Sequence, residues 1–272
     1  MLRSIELSCP LDGLRDTADV LELSYFDALA CLGELSLHCG GIRNTAELLY
    51  MARANGSNSI LEIGCGTGAS TQAMLHTGYA VVVVEPSRRM VATMTRNCLM
   101  HAGKVPEYYN ISAEDLSPIE GNRFDIVLLE CVFGFVHNKA AAVAEMHRVL
   151  KPGGVIAVTD FHYLKDPPTV LAQELNRSFG IRQILRRNDW ERYFEPLQLD
   201  AWCEVPMGGG RISPQSVDLM LTDAKLYDRF PGGAQGRAAL AQRFEAWEEV
   251  FACNRRYMAG HNALWRKSTV IV

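Results

Sequence analysis

The residues best suited to chemistry lie in a glycine-rich loop that begins with an acid. The stretch Glu62-Ile63-Gly64-Cys65-Gly66-Thr67-Gly68 spaces its glycines as G-x-G-x-G directly after a short apolar run. Glycines between a strand and a helix let the backbone approach a ligand closely. A dinucleotide site uses the spacing G-x-G-x-x-G, because a pyrophosphate rests on the helix N-terminus. Glu62 is unfavourable beside a pyrophosphate and suits a ligand that carries an ammonium group.

A second acid, Glu85, ends the next apolar run. A carboxylate at this place can accept hydrogen bonds from both hydroxyls of a ribose. S-adenosyl-L-methionine carries a ribose and an ammonium group, so Glu62 and Glu85 together favour this cofactor over a dinucleotide. Taken singly, the loop is also compatible with a glycine turn that binds nothing, and Glu85 with an ordinary charge at a strand end.

The spacing of apolar residues predicts the elements that hold these acids. The predicted strands are Ser59–Ile63, Ala80–Val84, Pro106–Ile111, Phe124–Leu129 and Val155–Thr159. The predicted helices are Ala69–His76, a helix capped by Ser87 that reaches about Met100, and Asn138–Leu150, which a turn at Lys151–Gly154 follows. Strands separated by helices predict an α/β fold, with a mostly parallel sheet and helices on both faces.

The composition limits the classes of partner. The 272 residues carry a net charge of −4, with 48% hydrophobic and 21% charged residues, which is typical of a soluble globular enzyme. This balance disfavours nucleic-acid binding, and no apolar run reaches the roughly 18 residues that span a membrane. The eight cysteines form no CxxC pair and the N-terminus lacks a signal-peptide core, so we expect a cytoplasmic protein with reduced thiols. A homodimer is left open.

The stretch from about 59 to 160 resembles the class I methyltransferases, especially the small-molecule group that includes ubiquinone- and menaquinone-type C-methyltransferases. The resemblance lies in LEIGCGTG, VVVVEPS, SAEDLS, FDIVLLECV and RVLKPGGVIAVTD. It implies a Rossmann-like sheet of seven strands whose last strand is antiparallel. The pattern along the whole chain predicts three regions: a helical N-terminal lid (1–58), a cofactor-binding core (59–160) and a substrate cover that completes the sheet (161–272).

The same resemblance assigns the cofactor residues. It places Glu62, Gly64, Cys65 and Gly66 at the methionine end of S-adenosyl-L-methionine, and Glu85 at the ribose. Around the adenine it places Pro86, Ser87, Ser112, Ala113 and Glu114. Ser112 departs from the pattern, since many relatives have an aspartate there for the adenine amino group. Glu114 is therefore a candidate to share that role.

The acceptor side is expected at the carboxyl ends of the strands, where open α/β sheets bind ligands. Glu130 ends the fourth strand beside the expected methyl group. Asp160 and His162 follow the fifth strand and are candidates to orient or deprotonate an acceptor, with a purely structural role as the alternative. We expect no metal, because no second acid lies near these residues in the sequence.

Aromatic and polar residues outside the core are candidates to contact the acceptor. In the lid, Gly40-Gly41 is expected to close over the sulfonium. For several of the aromatic residues, packing in the core is the alternative to contact with the acceptor. The candidates are Tyr25, His38, Phe133, Phe135, Trp190, Tyr193 and Arg211.

The predicted reaction is in-line transfer of a methyl group to a small-molecule acceptor, driven by positioning and desolvation. Two alternatives stay open. The chain also resembles arsenite methyltransferases around Cys131, and the soft thiolates of Cys39 and Cys131 would suit a metalloid. The second alternative is a module that binds S-adenosyl-L-methionine but does not catalyse a reaction. The G-x-G-x-G spacing argues against an NAD-dependent oxidoreductase, and Glu130-Cys131-Val132-Phe133 lacks the tetrad of nucleic-acid base methyltransferases.

Overall fold

The protein folds around a single seven-stranded sheet within the residues that the structure describes. The structure is a computed structural model, and it describes residues 8–33, 37–53, 58–207 and 212–269. The strands are β1 (Ser59–Ile63), β2 (Ala80–Val84), β3 (Glu107–Tyr109), β4 (Phe124–Glu130), β5 (Leu150–Tyr163), β6 (Gln198–Val205) and β7 (Met258–Arg266). Their order in the sheet is β3-β2-β1-β4-β5-β7-β6, and β7 runs antiparallel to both of its neighbours. The predicted mostly parallel sheet with an antiparallel last strand is confirmed.

Helices cover both faces of this sheet. They are α1 (Thr17–Leu21), α2 (Tyr25–Cys31), α3 (Gly41–Ala52), α4 (Ala69–His76), α5 (Arg88–Ala102), α6 (Lys139–Val149), α7 (Thr169–Phe179), α8 (Arg187–Tyr193), α9 (Pro214–Asp223) and α10 (Gly233–Asn254). Ser87 caps α5 by accepting a hydrogen bond from the Met90 N–H, as its position predicts. No described helix is long and apolar enough to cross a bilayer.

Strand β5 is longer than the sequence predicts, at both ends. The expected turn at Lys151–Gly154 lies inside the strand, where the register against β4 shifts between Phe124 and Ile126. At the other end, pairing with β7 continues to Tyr163. Asp160 and His162 are therefore strand residues, and successive side chains there point to opposite faces of the sheet.

The core consists of three apolar clusters. One face of the sheet packs against α6 and α8, through residues such as Met146 and Trp190. The other face packs against α3, α4 and α5, through residues such as Leu48 and Met74. The third cluster joins α1 and α2 to α7, α9 and α10, around Tyr25. The N-terminal helices and the C-terminal helices therefore share one core, although 200 residues of sequence lie between some of them.

Replacement of Trp190 by alanine should test the first cluster. The Trp190 side chain is fully buried, with ring centroids 4.7 Å from both Phe133 and His261. We expect the free energy of unfolding in urea to fall by roughly 3–5 kcal/mol, as for other buried aromatic truncations. Tyr108→Ala, at a side chain on the exposed edge strand, is the control and should change it by less than about 0.5 kcal/mol. Equal effects of the two substitutions would contradict this packing.

Candidate active site

The glycine loop after β1 opens a pocket at the carboxyl ends of the parallel strands. Gly64 and Gly68 have φ angles of +73° and +90°, which favour glycine. A Cβ atom at Gly64 would lie 2.5 Å from Cγ2 of Val132, and one at Gly68 would lie 2.8 Å from Cγ of Met94. At Gly66, no described heavy atom beyond its chain neighbours lies within 4 Å of a Cβ position. The loop is thus packed at both ends and open at its middle, where a ligand can reach the backbone.

Glu85, which directly follows β2, lines this pocket beside the open part of the loop. Its Oε2 accepts a hydrogen bond from the Gly66 N–H at 3.3 Å, and its Oε1 accepts one from the Ser87 N–H at 2.9 Å. Burial raises the pKa of this carboxyl to about 7. Because a carboxylate has about four acceptor positions, Glu85 keeps capacity for two hydroxyl groups of a ligand.

Glu62 lines the same pocket from β1 and is almost completely buried. The Thr71 hydroxyl donates a hydrogen bond of 2.5 Å to its Oε2. Burial, together with the smaller effect of the charges of Glu130 and Glu85, raises the pKa of Glu62 to about 8. Three acids around one small volume would be stabilised by a cationic group between them.

A buried network of hydrogen bonds holds α3 against the end of the sheet. The Asn44 Nδ2 donates to Oγ1 of Thr159 on β5 at 2.7 Å and to Oδ1 of Asn262 on β7 at 3.0 Å, and the Asn262 Nδ2 donates back to Oδ1 of Asn44 at 2.8 Å. Asn44 also donates to the Cys39 carbonyl at 3.3 Å. These bonds fix the segment that leads into α3 over the pocket.

Polar side chains from that segment and from α3 itself reach Glu130 at the end of β4. The Thr45 hydroxyl donates to Oε1 of Glu130 at 2.6 Å, and Nδ1 of His38 lies 3.6 Å from the same oxygen. Nε2 of His38 lies 3.5 Å from the hydroxyls of both Thr45 and Ser70. His38, Glu130 and Ser70 line the pocket beside the glycine loop, so this cluster can bind the charged end of an amino-acid ligand.

Aromatic side chains wall the other part of the pocket. The Tyr25 ring makes edge contacts with Phe26 and Phe251, at centroid distances of 5.5 and 5.4 Å, and Phe26 contacts Phe135 at 4.9 Å. Burial raises the pKa of Tyr25 well above its usual range, and Glu248 raises it further. The phenol is therefore a hydrogen-bond donor at neutral pH. Further lining residues here are Leu29, Leu37, Phe161, Met207, Glu248, Arg255 and Met258.

The structure brings a large part of the predicted site together in this pocket. The predicted residues that line it are Glu62, Gly64, Cys65, Gly66, Glu85, Pro86, Glu130, Tyr25, His38 and Phe135. The predicted adenine residues Ser87, Ser112, Ala113 and Glu114 are not among the lining residues. Ala113 is buried in the core, and Glu114 accepts hydrogen bonds from the N–H groups of His137 and Asn138.

Five of the predicted catalytic and substrate residues also lie elsewhere in the structure. Asp160 and His162 belong to β5 but face the side of the sheet away from the pocket, because Phe161 between them takes the pocket side. Asp160 is fully buried and accepts hydrogen bonds from the N–H groups of Phe133 and Phe161 at 3.0 and 2.8 Å, so it orders the backbone after β4.

Phe133, Trp190 and Tyr193 pack together in the core cluster on that same side. Their predicted contact with an acceptor does not fit this placement, since two of the three rings are fully buried. Large apolar rings there fill the space between the sheet and α8. Arg211 lies outside the described residues.

Several lining residues were missed from the sequence. Phe161 follows from the period of two in a strand, once β5 is known to continue past Thr159. Thr45 does not line the pocket itself, but its hydrogen bond to Glu130 was missed too; it lies four residues after Gly41 on α3, one helical turn on, which is a signal that the helix register could have given. Glu248 and Arg255 carry no local signal, because only the packing of the C-terminal helices brings them to the pocket.

Two thiols meet at the wall of the pocket. The Sγ atoms of Cys39 and Cys131 lie 3.8 Å apart, although the residues come from the segment before α3 and from the end of β4. The contact with Cys39 and burial raise the pKa of the Cys131 thiol well above its usual value. Over the described ranges, no group of three histidine, cysteine, aspartate or glutamate residues is placed to hold a metal ion.

Comparisons with known proteins agree with this arrangement. A family model described as a methyltransferase domain matches residues 61–158. The chain is similar to the uncharacterized methyltransferase YodH of Bacillus subtilis (strain 168), with 26% identity over 168 residues that cover 62% of this chain and 71% of YodH. It is also similar to the ubiquinone biosynthesis O-methyltransferase of Pseudomonas paraeruginosa (strain DSM 24068 / PA7), with 26% identity over 146 residues. That match covers 53% of this chain and 61% of the relative, which is less than two thirds of its length.

Solved structures share the fold. The [4+2]-cyclase SpnF superimposes with a TM-score of 0.66 at 17% identity, covering 94% of this chain and 98% of that one. A putative sarcosine dimethylglycine methyltransferase from Galdieria sulphuraria superimposes with a TM-score of 0.62 at 18% identity, covering 85% and 86%. The sheet order, the glycine loop and the match at residues 61–158 thus identify a methyltransferase domain of the class I, S-adenosylmethionine-dependent type within this chain.

Proposed function

We propose that the protein transfers the methyl group of S-adenosyl-L-methionine to a small-molecule acceptor. One observation carries the proposal: the glycine loop, Glu85 and the aromatic wall around Tyr25 line one continuous pocket. A cofactor held by the loop therefore shares an apolar space with whatever lies against the aromatic rings. The names of the similar proteins, a ubiquinone biosynthesis O-methyltransferase among them, support a small acceptor.

The residues present fit the cofactor. The open space at Gly66 leaves room for a ligand against the backbone, and Glu85 keeps free acceptor positions for ribose hydroxyls. Glu62 and Glu130 would lie near the methionine ammonium group, with His38 near its carboxylate. When bound, S-adenosyl-L-methionine supplies an activated methyl group on its sulfonium.

The chain's own contribution is to position the two reactants and to exclude water from them. The Phe26, Phe135 and Phe161 rings exclude water from the acceptor space, and well-oriented reactants gain on the order of 7–11 kcal/mol. Tyr25 keeps its proton and can donate a hydrogen bond to an acceptor. Glu130 lies where the glycine-loop part of the pocket meets the aromatic part, and the hydrogen bond from Thr45 orients its carboxylate. Its role as a base is needed only for an acceptor that loses a proton.

Glu85→Ala tests the cofactor site by isothermal titration with S-adenosyl-L-methionine. We expect at least tenfold weaker binding, because charge-assisted hydrogen bonds contribute about 1.5–3 kcal/mol each. Glu120→Ala removes an exposed acid and should bind as the wild type does. Unchanged affinity of Glu85→Ala for S-adenosyl-L-methionine would contradict the proposal. So would wild-type protein that binds a nicotinamide dinucleotide more tightly than S-adenosyl-L-methionine. Wild-type protein that binds the cofactor but forms no S-adenosyl-L-homocysteine with any acceptor would be the non-catalytic module.

Glu62 makes cofactor binding depend on pH. Its pKa is about 8 in the pocket, because burial favours the neutral form. An ammonium group nearby favours the carboxylate, so binding at pH 6–7.5 should release a proton, and affinity should rise with pH over this window. Titration calorimetry in buffers of different ionisation enthalpy measures that release. Glu62→Gln should reduce it, and an equal release in wild type and variant would contradict the role of Glu62. Glu85, whose pKa is raised to about 7, is a second group that can release a proton when ribose hydroxyls bond to its carboxylate.

A thiophilic acceptor is a second candidate, and the contact between Cys39 and Cys131 favours it. Two adjacent thiols can bind trivalent arsenic once they lose their protons. Wild-type protein would then form methylated arsenic from arsenite in the presence of S-adenosyl-L-methionine and a thiol reductant. Cys131→Ser should abolish the product, whereas Cys203→Ser, at an exposed cysteine, should not. Absence of product from the wild type would exclude this candidate.

A further inference from the structure

A buried acid stands in the aromatic part of the pocket, apart from the acids of the glycine loop. Glu248 lies on α10 and lines the pocket, yet its side chain is only 6% exposed. Its neighbours Phe244 and Trp247 belong to the apolar core of the lid and cover. Acids in such surroundings are normally paired with a cation.

Within the described residues, Glu248 has little to balance its charge. Its Oε1 accepts a hydrogen bond of 3.3 Å from the Ile212 N–H. No Lys, Arg or His nitrogen of these residues forms an ion pair with it within 4.0 Å. Arg255 also lines the pocket, but its side chain is exposed to solvent. A single long hydrogen bond offsets only a small part of the free-energy cost of burying a carboxylate.

Aromatic rings surround the same space. Tyr25 is close enough to Glu248 for the acid to influence its pKa, and Phe26, Phe161 and Phe251 complete the wall. The faces of aromatic rings attract cations, with the strongest effect where water is excluded. A carboxylate among aromatic rings is the chemistry that recognises an organic ammonium group attached to an apolar body.

We propose that Glu248 selects the acceptor, and that the acceptor is an apolar organic amine whose protonated nitrogen binds Glu248 between the aromatic rings. The inference rests on the proposed function, since it assigns this space to the acceptor. The ammonium group is an anchor, because a protonated nitrogen has no lone pair to attack a methyl group. The methylated atom is thus another atom of the acceptor or a second nitrogen.

The test is charge selectivity in the wild type and in Glu248→Gln. Binding of three probes of similar shape is measured by titration and ligand-observed NMR in the presence of S-adenosyl-L-homocysteine. The probes are 2-phenylethylamine, 2-phenylethanol and 3-phenylpropanoate, followed by longer arylalkylamines with their matched alcohols. Glutamine keeps the size of the side chain and an oxygen for the Ile212 N–H. Glu249→Gln is the matched control, because it removes the same charge from the adjacent, exposed position on α10.

We expect the wild type and Glu249→Gln to bind the amines at least tenfold more tightly than the alcohols, and the carboxylate most weakly. Glu248→Gln should lose the preference for the amine while its affinity for S-adenosyl-L-homocysteine stays within error of the wild type and its melting temperature does not fall. A Glu248→Gln variant that keeps the preference would overturn the proposal. So would the absence of any amine preference across the whole series in the wild type, whether or not the probes bind.

The result can be separated from failure of the proposed function. Loss of S-adenosyl-L-homocysteine binding in the wild type would count against the methyltransferase site. The amine preference and its dependence on Glu248 are still measurable in the cofactor-free protein, and they decide the present proposal alone. A merely structural role of Glu248 would lower the melting temperature of Glu248→Gln and weaken all three probes alike, which also overturns it.

Discussion

The pocket depends on the buried hydrogen bonds that hold α3 against the carboxyl ends of the parallel strands. Asn44 bonds to Thr159 and Asn262, which lie on adjacent strands of opposite direction. The next residue on α3, Thr45, bonds to Glu130. Because buried polar groups are costly unless all of them are paired, these bonds allow few arrangements of α3. They fix the position of α3, on one side of the pocket, relative to the strand ends on the other side.

The two faces of the sheet have different roles: one borders the pocket, and the other is filled by packed side chains. On β5, Thr159 and Phe161 point toward α3 and the pocket, whereas Val158, Asp160 and His162 point toward the opposite side. The large rings around Trp190 fill that opposite side, and Asp160 orders the backbone of the 3-10 turn Phe133–Phe135 from there. Phe135, at the end of this turn, returns to the pocket wall. Packing on one face thus positions an aromatic side chain on the other.

Sequence patterns predicted the sheet and the glycine-loop side of the pocket because those features are local. The spacing of Gly64, Gly66 and Gly68, with Glu62 and Glu85 at strand ends, determines backbone shape and charge within a few residues. The length of β5 was missed because the glycines at 153 and 154 are typical of a turn, while pairing with β7 comes from residues about 100 positions later. With β5 expected to end at Thr159, Asp160 and His162 were expected after the strand at the binding edge, whereas they are strand residues that face away from the pocket.

The acceptor half could not be predicted, because long-range packing builds it. Tyr25 and Glu248 share one wall although most of the chain separates them, and Trp190, an apparent contact residue, belongs to the core. Cys39 and Cys131 were paired by resemblance, and only the fold gives the distance between their sulfur atoms.

A crystal structure with bound S-adenosyl-L-homocysteine tests most directly whether this pocket is a methyltransferase site. The ribose hydroxyls should bond to Glu85, the amino-acid end should lie among Glu62, Glu130 and His38, and the sulfur should face the rings around Tyr25. A ligand bound away from the glycine loop, or one whose sulfur points away from the aromatic wall, would contradict the assignment.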